Sequence, residues 1–367
     1  MMRIGWEVVS PLEWRTHRGI INIEDACPRG VEKLAQEAAQ NWLWSKMHGG
    51  DDALRDVPAM PLLEPMVKLL QPAARGRDWE AKDQGCLRMA VVGGRWSQER
   101  RHRAGYTESD VCTKCLAAVG TDHHDVYDCP GFRAFRTQYN APALLSNARR
   151  RPEMALWTQA LMTDPSRDFP APLMVHQIIW EKAAADGRLQ GIGYGDGSGL
   201  RPRHAAMRRC GWGLIMHTPG IGITARLYGP LPGWQQDVPA AVSWAFWVLL
   251  TNFGIGQVEF VTDCKFVLDT FTAGPSRSSS GWFFYAGIWR SIWWRVADIG
   301  LENVMMRWVP AHTSQRAVND GTISFLDQIC NKEADERAKA GAKMHPDSDE
   351  VANRVEKSIE VVAQVAR

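Results

Sequence analysis

From Gly191 onward the sequence alternates between strand-like and helix-like segments in the order βββαβααβα. Runs of β-branched and aromatic residues bounded by glycines indicate strands, whereas apolar residues at helical spacing indicate helices. This order is typical of a mixed α/β layer domain of about 150 residues. The predicted strands are Ile192–Ser198, Gly211–His217, Thr224–Tyr228, Gln257–Asp263 and Val304–Val309, and the predicted helices are Pro239–Asn252 (with Asp237 as N-cap), Phe266–Phe271, Tyr285–Val296 and Leu326–Ala342.

Composition places the chain among globular proteins. Hydrophobic residues make up 45% and charged residues 23% of the 367 residues, enough to bury a core. The net charge of +2 excludes a uniformly basic nucleic-acid packing protein but not local basic patches. No run approaches the roughly 18 apolar residues of a membrane-spanning helix, and no secretory signal is visible at the start. We therefore expect an intracellular protein, nuclear or cytoplasmic, with no membrane partner and with reduced thiols.

Three of the 8 cysteines are clustered, at Cys112, Cys115 and Cys129. With His124 they form the pattern Cys-x2-Cys-x8-His-x4-Cys, and His123 is an adjacent rival for the third ligand. Clustered cysteines in a reducing compartment favour a metal over disulfides. Four N and S ligands suit a closed tetrahedral Zn²⁺ site, which is structural rather than catalytic. The alternative is a chance cluster of buried thiols.

Acidic residues accompany several of the predicted elements after Gly191. Asp196 lies at the glycine-rich end of the first strand, Asp263 ends the fourth, and Asp335 lies in the last helix. His312 follows the fifth strand in a loop. Carboxylates at the ends of neighbouring strands can converge on hard cations such as Mg²⁺, and two such ions about 4 Å apart can hold a scissile phosphate and activate water. Taken singly, each Asp is typical of a turn or cap, so only the ordered set is informative.

In this order the motifs resemble those of type 1 ribonuclease H domains, over about Gly191 to Ala342. The resemblance implies a ribonuclease-H-like α/β fold, with a mixed five-stranded sheet flanked by helices. It implies that Asp196, Asp263 and Asp335 bind Mg²⁺ or Mn²⁺, and that His312 assists water activation or product release. The implied function is endonucleolytic cleavage of the RNA strand of an RNA–DNA hybrid by two-metal-ion hydrolysis, with selectivity from 2′-OH contacts.

One position departs from the family pattern. The catalytic Glu of the family's first helix corresponds to Val242. Asp237 lies five residues earlier, roughly 140° away around the helix and at its predicted cap, so we do not expect it to substitute. Loss of such a group commonly costs about 10²-fold in rate or more. The alternatives are a slow hybrid ribonuclease, a catalytically impaired module that binds hybrid or RNA without cutting, and a decayed retroelement product.

Aromatic and basic residues before the last strand resemble the segment that holds the DNA strand in this family. Trp294 and Arg295 are candidates for that contact, because rings stack on bases and Arg meets phosphate. Trp289 and Trp293 are four residues apart on one helix face and are expected in the core. The resemblance also implies nucleic-acid contacts at Ser198, in the Asp-Gly-Ser motif, and at Asn331, just before the last Asp.

The sequence before Gly191 has fewer signals. Residues 1–71 are expected to be mostly helical, with one helix over Val31–Trp44, and further helices are expected at Glu153–Met162 and Pro172–Ala185. A Cys/Cys/His/Cys segment before a ribonuclease H domain resembles the C-terminal end of a non-long-terminal-repeat retrotransposon polyprotein. This resemblance implies a reverse transcriptase in the same polyprotein, and the absence of an obvious domain start at Gly5 fits a piece of a longer chain.

The sequence thus predicts five divisions and leaves the oligomeric state open. They are a helical region that resembles the end of a reverse transcriptase (1–94), a zinc-binding segment (95–135), a helical linker (136–186), a ribonuclease-H-like domain (187–345) and a polar tail with helical periodicity (346–367).

Overall fold

The structure is a computed structural model in which the chain forms two compact units. It describes residues 4–22, 26, 28–50, 52–76, 78–137, 142–183, 187–201, 203–254 and 256–367. Unit 1 comprises Met1–Ala38 and Phe169–Ser348, and unit 2 comprises Ala39–Asp168 and Asp349–Arg367. Each unit is therefore built from two separate stretches, and the five divisions drawn from the sequence remain predictions.

The strands form two sheets. A small antiparallel sheet has the order β1-β2-β3, and a mixed six-stranded sheet has the order β4-β7-β6-β5-β8-β9. The strands are β1 Glu7–Val8, β2 Glu13–Thr16, β3 Gly19–Asn22, β4 Ile179–Lys182, β5 Ile192–Leu200, β6 Arg209–Thr218, β7 Gly222–Pro230, β8 Val258–Thr262 and β9 Val304–Trp308.

The helices follow in chain order. They are α1 Pro28–His48, α2 Glu64–Leu70, α3 Ala81–Val91, α4 Gln98–Arg103, α5 Arg133–Thr137, α6 Pro142–Arg150, α7 Ala155–Gln159, α8 Val238–Asn252, α9 Lys265–Thr272, α10 Pro275–Ser278, α11 Ala286–Ile299, α12 Gln315–Asn319, α13 Phe325–Ala342 and α14 Asp349–Ala366. Among the residues that the structure describes, no helix is both long and apolar enough to cross a bilayer.

The elements predicted after Gly191 occur in the predicted order, and two short helices that were not predicted, α10 and α12, lie among them. All five predicted strands and all four predicted helices are present, and Asp237 caps α8 by accepting a hydrogen bond from the Ala240 amide at 2.9 Å. In the large sheet, β7, β6 and β5 pair antiparallel, whereas β8 and β9 continue from β5 in parallel. The sheet is thus a mixed one with its parallel half at the β9 edge.

The sheet has six strands rather than the five expected, because β4 is added beside β7. Ile179 pairs with Tyr228 and Trp180 with Leu227. The helix expected over Pro172–Ala185 is therefore wrong where the chain is described, and residues 184–186 lie outside the described part. An unpaired strand edge offers a row of backbone donors and acceptors, so pairing with β7 stabilises an extended segment that local spacing alone does not reveal.

The expectation of a mostly helical start is also wrong in part. The helix over Val31–Trp44 is confirmed within α1, but Glu7–Asn22 contains the three antiparallel strands β1 to β3. Cross-strand pairs such as Trp14 with Ile21 supply the contacts of this small sheet.

Helix α13 lies directly on one face of the large sheet, and glycines make this approach possible. A Cβ on Gly213 would lie 2.6 Å from the Ala338 amide nitrogen and would also collide with the Ala334 carbonyl. Gly211 faces the last turn of α13 in the same way. Helix α8 covers the opposite face, where a Cβ on Gly193 would lie 2.7 Å from Leu249 Cδ2 and a Cβ on Gly197 would lie 2.9 Å from Ala241 Cβ. The central strand β5 is therefore enclosed by a helix on each side.

A charged network locks the start of α13 onto the sheet. Arg307 of β9 donates two hydrogen bonds to Asp327, at 3.0 and 2.8 Å, and one to Glu259 of β8 at 2.8 Å. The Tyr194 hydroxyl of β5 donates to Asp327 at 2.8 Å. Although burial opposes it, hydrogen bonding from Arg307 keeps the pKa of Asp327 below its usual value. Three strands and α13 thus share one ion-paired cluster, which sets the height of α13 along the sheet.

Unit 2 is a separate helical body with its own core. Its apolar cluster includes Met66 of α2, Leu87 of α3, Leu156 of α7 and Val362 of α14. The stretch 346–367, expected as a polar tail with helical periodicity, contains α14, and Val362 lies fully buried there.

Replacing Gly213 tests the close approach of α13. Because overpacking a core commonly costs about 1–3 kcal/mol, we expect Gly213→Ala to lower the free energy of unfolding by about 2–3 kcal/mol. Gly85→Ala on α3 is the control, since nothing lies within 4 Å of the Cβ it would add and Ala favours a helix. Urea unfolding of both variants measures the difference. Equal midpoints for Gly213→Ala and the natural protein would contradict the packing.

Candidate functional site

Asp196 and Asp263 lie at matching positions on neighbouring parallel strands. The last paired residues of β5 and β8 are Tyr194 and Val261. Asp196 and Asp263 each follow two residues later, so both lie at the carboxyl end of the β5–β8 pairing. The sequence predicted Asp196 at the end of its strand, but β5 continues to Leu200 and Asp196 pairs with Gly213 of β6. Neighbouring strands are about 4.8 Å apart, which brings the two carboxyl groups close to each other.

Asp196 is buried and electrostatically unfavourable as an anion. Only 7% of the residue is exposed. Burial, followed by the negative charges of Asp263 and Asp335, raises the pKa of Asp196 to about 8. One of its oxygens accepts a hydrogen bond from the Gly197 amide at 2.7 Å, which opposes the rise. The positive charge near this carboxyl group is therefore too weak to offset the cost of ionising it in the folded protein.

Helix α13 brings Asp335 and Asn331 to the same edge. Asn331 Nδ2 donates to Asp263 Oδ2 at 3.0 Å, while Asn331 Oδ1 is buried without a hydrogen-bond partner among the described residues. Asp335, one turn later, accepts a hydrogen bond from Lys339 Nζ at 2.6 Å. The three carboxylates are thus brought together, and each has a different partner. We call Asp196, Asp263 and Asp335, with Asn331, the acidic edge.

The loop after β9 completes the edge. His312 has a φ of +47°, in the left-handed region that a non-glycine residue rarely adopts. Together with Asp263, Asn331 and Asp335 it lines a cavity of about 490 Å³. Trp308, at the end of β9, donates its indole N–H to the Asp263 carbonyl at 2.9 Å and tethers this loop to the site.

Val242 lies where the resemblance stated above implies a carboxylate. Its side chain is fully buried, and a Cβ on Gly197 would lie 3.1 Å from Val242 Cγ2. Val242 therefore packs against the strand segment that carries Asp196. Asp237 is occupied as the cap of α8, with a pKa raised by burial and with hydrogen bonds to Tyr285 and Gln235.

The candidate nucleic-acid-binding residues differ in their exposure and in the contacts they already make. The Trp294 indole is 72% exposed, whereas Arg295 pairs with Asp298 and donates to the Leu250 carbonyl. Trp289 is fully buried, and Trp293 stacks on Phe271 at 5.1 Å, which confirms the core prediction for both. Ser198 is a partly buried residue of β5, two positions after Asp196. Of the pair Trp294 and Arg295, only the tryptophan presents a free face.

In unit 2, the three cysteines and His124 converge on one point. The ligand atoms of Cys112, Cys115, His124 and Cys129 all lie within 4.8 Å of one another. Cys112 Sγ and Cys129 Sγ are 3.7 Å apart, and Cys115 Sγ is 3.4 Å from His124 Nε2. A tetrahedral zinc with Zn–S bonds of about 2.3 Å separates two sulfurs by about 3.8 Å, so this donor set fits Zn²⁺.

The structure also separates the two adjacent histidines. His124 begins a single π-helical turn, His124–Asp128, that points its ring at the cysteines. His123 donates from Nε2 to the Ala148 carbonyl at 3.0 Å, and its Nδ1 lies 3.3 Å from Asp128. The backbone amide of Ala117 lowers the pKa of Cys115 to about 7, whereas burial raises the pKa of Cys129. The cluster therefore contains one thiol that ionises near neutral pH, which suits a metal ligand.

Two residues that bond to the acids were not predicted from the sequence. Lys339 bonds to Asp335, and Trp308 holds the Asp263 backbone. The spacing of Lys339, four residues after Asp335 on a helix, was the available signal. Nothing in the sequence near Trp308 indicates its bond, because it joins residues far apart in the chain.

Comparisons with known proteins give structural neighbours only. No protein-family model matches the chain, and no curated protein matches it. The chain is similar to the PFV RNase H domain in solution, with 20% identity, 44% of this chain and 99% of that chain covered, and a TM-score of 0.34. Its similarity to prototype foamy virus protease–reverse transcriptase has 19% identity, covers 46% of this chain and 23% of that chain, and has a TM-score of 0.32. Its similarity to LC9-RNase H1, a type 1 RNase H with the type 2 active-site motif, has 17% identity, covers 46% of this chain and 83% of that chain, and has a TM-score of 0.32.

The raised pKa of Asp196 predicts a pH-dependent penalty on stability. Between about pH 4 and the folded pKa of about 8, the unfolded chain is ionised at this position while the folded chain keeps its proton, so rising pH destabilises the fold. We expect Asp196→Asn to raise the melting temperature at pH 8 by several degrees and to have little effect at pH 4.5. Thermal unfolding without magnesium or manganese tests this. An equal gain at both pH values would show that charge is not the cause.

The paired histidines provide a matched test of the cysteine cluster. We expect the purified protein to contain zinc, and His124→Asn to weaken zinc binding by more than about 100-fold, because losing a hydrogen-bond partner of a ligand already costs about 10- to 100-fold. His123→Asn should retain the metal. Chelator competition and metal analysis measure both. Equal zinc loss in the two variants, or no zinc in the natural protein, would overturn this ligand set.

Proposed function

We propose that this chain is a divalent-metal-dependent ribonuclease that cleaves the RNA strand of an RNA–DNA hybrid. The observation that carries the proposal is the matched placement of Asp196 and Asp263, each two residues beyond the last residue pair that joins β5 to β8. Asp335 of α13 adds a third carboxylate, which contributes to the raised pKa of Asp196.

The topology of unit 1 supports the same proposal. Three antiparallel strands are followed by two parallel ones, with the acids on the central strand, after its parallel neighbour and on the last helix of the unit. This is the order that the resemblance to type 1 ribonuclease H implies. The sixth strand, β4, is added at the edge opposite β9 and leaves the acidic edge unchanged.

The donor set of the acidic edge fits a hard divalent cation. Carboxylate and amide oxygens are the ligands that Mg²⁺ and Mn²⁺ prefer, and Asp196, Asp263, Asp335 and Asn331 Oδ1 would supply them. The buried Asn331 Oδ1 has no hydrogen-bond partner among the described residues, and the buried Asp196 is short of positive charge. When bound, the metal would polarise the scissile phosphate and promote ionisation of the attacking water.

The chain's own residues would position the substrate and handle protons. His312 lines the cavity beside Asp263 and Asp335, where its imidazole can take a proton from the attacking water or deliver one to the leaving oxygen. Asn331 holds Asp263 in place, and Trp308 holds the backbone below it. The exposed Trp294 offers a stacking surface for a strand, and 2′-OH groups would distinguish RNA from DNA.

We further propose a structural Zn²⁺ in the cluster of Cys112, Cys115, His124 and Cys129, and an origin in a retrotransposon polyprotein that also carries a reverse transcriptase. The order of a Cys3His cluster and then the acidic edge along the chain supports this origin. All four zinc ligands would come from protein, so the metal would stabilise unit 2 without an open position for chemistry.

A second candidate is a module that binds hybrid or RNA without cutting it. The buried Val242 favours this candidate, because the resemblance implies a carboxylate at this position and Asp237 is engaged as the cap of α8. The two candidates share the fold and the binding surface and differ only in turnover.

Restoring the carboxylate separates the two candidates. We expect the natural protein to cleave a labelled RNA–DNA hybrid slowly in Mg²⁺ or Mn²⁺, and Val242→Glu to accelerate cleavage by about 10²-fold, since a single preorganised charged group is commonly worth that much. Val242→Gln is the control, because it has the same size without the charge. Asp196→Asn should abolish cleavage.

The outcomes of this assay are distinct. Cleavage by Val242→Glu alone would favour the binding module for the natural chain. Equal cleavage by the natural protein and Asp196→Asn would indicate a contaminating nuclease and overturn the proposed site. If Val242→Glu loses its circular dichroism spectrum, the comparison of the natural protein with Asp196→Asn still decides whether the acidic edge cuts.

A further inference from the structure

We propose that the acidic edge binds a single divalent cation, with the ammonium group of Lys339 in place of a second. This inference rests on the proposed function and changes the number of ions expected from two to one. It concerns the charge of the site and is independent of whether the site cuts.

The first support is the position of Lys339. Its Nζ lies 2.6 Å from Asp335 Oδ2, one turn along α13. Its charge also lowers the pKa of Asp196, against the larger effect of burial, and its own side chain is about half exposed. Asp335 is largely enclosed, with 18% of its side chain exposed, and within that enclosure it already has a cation as partner.

The second support is the charge of the acidic edge. Val242 supplies no negative charge, and Asp237 is engaged at the cap of α8. Asp196, Asp263 and Asp335 together carry three negative charges when ionised, and Lys339 carries one positive charge. Lys332 lines the same cavity as Asp263 and Asp335, so at most two negative charges remain, and one divalent ion balances them. Two ions would leave the edge with an excess of positive charge before any phosphate arrives.

The third support is the arrangement of Asn331. Its amide nitrogen donates to Asp263 Oδ2, and its carbonyl oxygen is buried without a hydrogen-bond partner among the described residues. A buried carbonyl without a partner is costly unless a donor or cation reaches it. Asp196, Asp263 and Asn331 Oδ1 therefore form the cation site, and Asp335 belongs to Lys339.

Manganese stoichiometry tests the inference without any cleavage. Zinc-loaded protein is titrated with Mn²⁺, and bound ions are counted by electron paramagnetic resonance and calorimetry, with Asp196→Asn as the blank for this edge. We expect one Mn²⁺ for the natural protein and for Lys339→Arg, which keeps the charge. Lys339→Met should bind the first ion at least tenfold more tightly, and the double variant Val242→Glu/Lys339→Met should bind two.

Each outcome bears on a different statement. Two Mn²⁺ in the natural protein would overturn the single-ion inference while leaving the proposed function intact. One Mn²⁺ with equal affinity in the natural protein and Lys339→Met would overturn the role of Lys339. No Mn²⁺ beyond the Asp196→Asn blank, together with no hybrid cleavage, would overturn the proposed function itself.

Discussion

The close seating of α13 on the large sheet is the contact on which the candidate site depends. Gly211 and Gly213 remove the side chains that would hold the helix away, and the ion-paired cluster of Arg307 and Asp327 fixes its height. Only at this height does Asn331 reach Asp263. A one-turn shift of α13 would move its residues by about 5.4 Å and disperse the acidic edge. The site is thus a consequence of backbone packing as much as of its acidic residues.

The electrostatics of the acidic edge follow from this enclosure. Burial penalises the charged form of Asp196, and the nearby carboxylates add to the penalty. Val242 relieves part of the repulsion by contributing no charge, and Lys339 relieves more by pairing with Asp335. Val242 and Lys339 therefore both reduce the net negative charge at the place where a cation would bind. An arrangement that lowers the free-energy cost of burying Asp196 is therefore also expected to lower the affinity for a cation.

Much of this fold was predictable, and the failures have physical causes. The strands and helices after Gly191 were predicted because each has a local period and a cap or turn at its ends. β4 was not predicted because its extended form is stabilised by pairing with β7, which is distant from it in the sequence. The choice between His123 and His124 stayed open because adjacent residues share one spacing, and only the π-helical turn points His124 at the thiols. Lys339 was overlooked although its helical spacing from Asp335 was visible.

The sequence by itself determined the order of the strands and main helices after Gly191, the identities of the acids, the three clustered cysteines with a histidine at position 123 or 124, and the presence of Val242 instead of a carboxylate, because these depend on residue type and local spacing. Only the tertiary structure decided that Asp196 and Asp263 lie in register on neighbouring strands, that Asn331 bonds to Asp263, and that Asn331 Oδ1 is buried without a partner among the described residues. Distance, burial and charge balance depend on which segments meet across the sheet, and no local pattern contains that information.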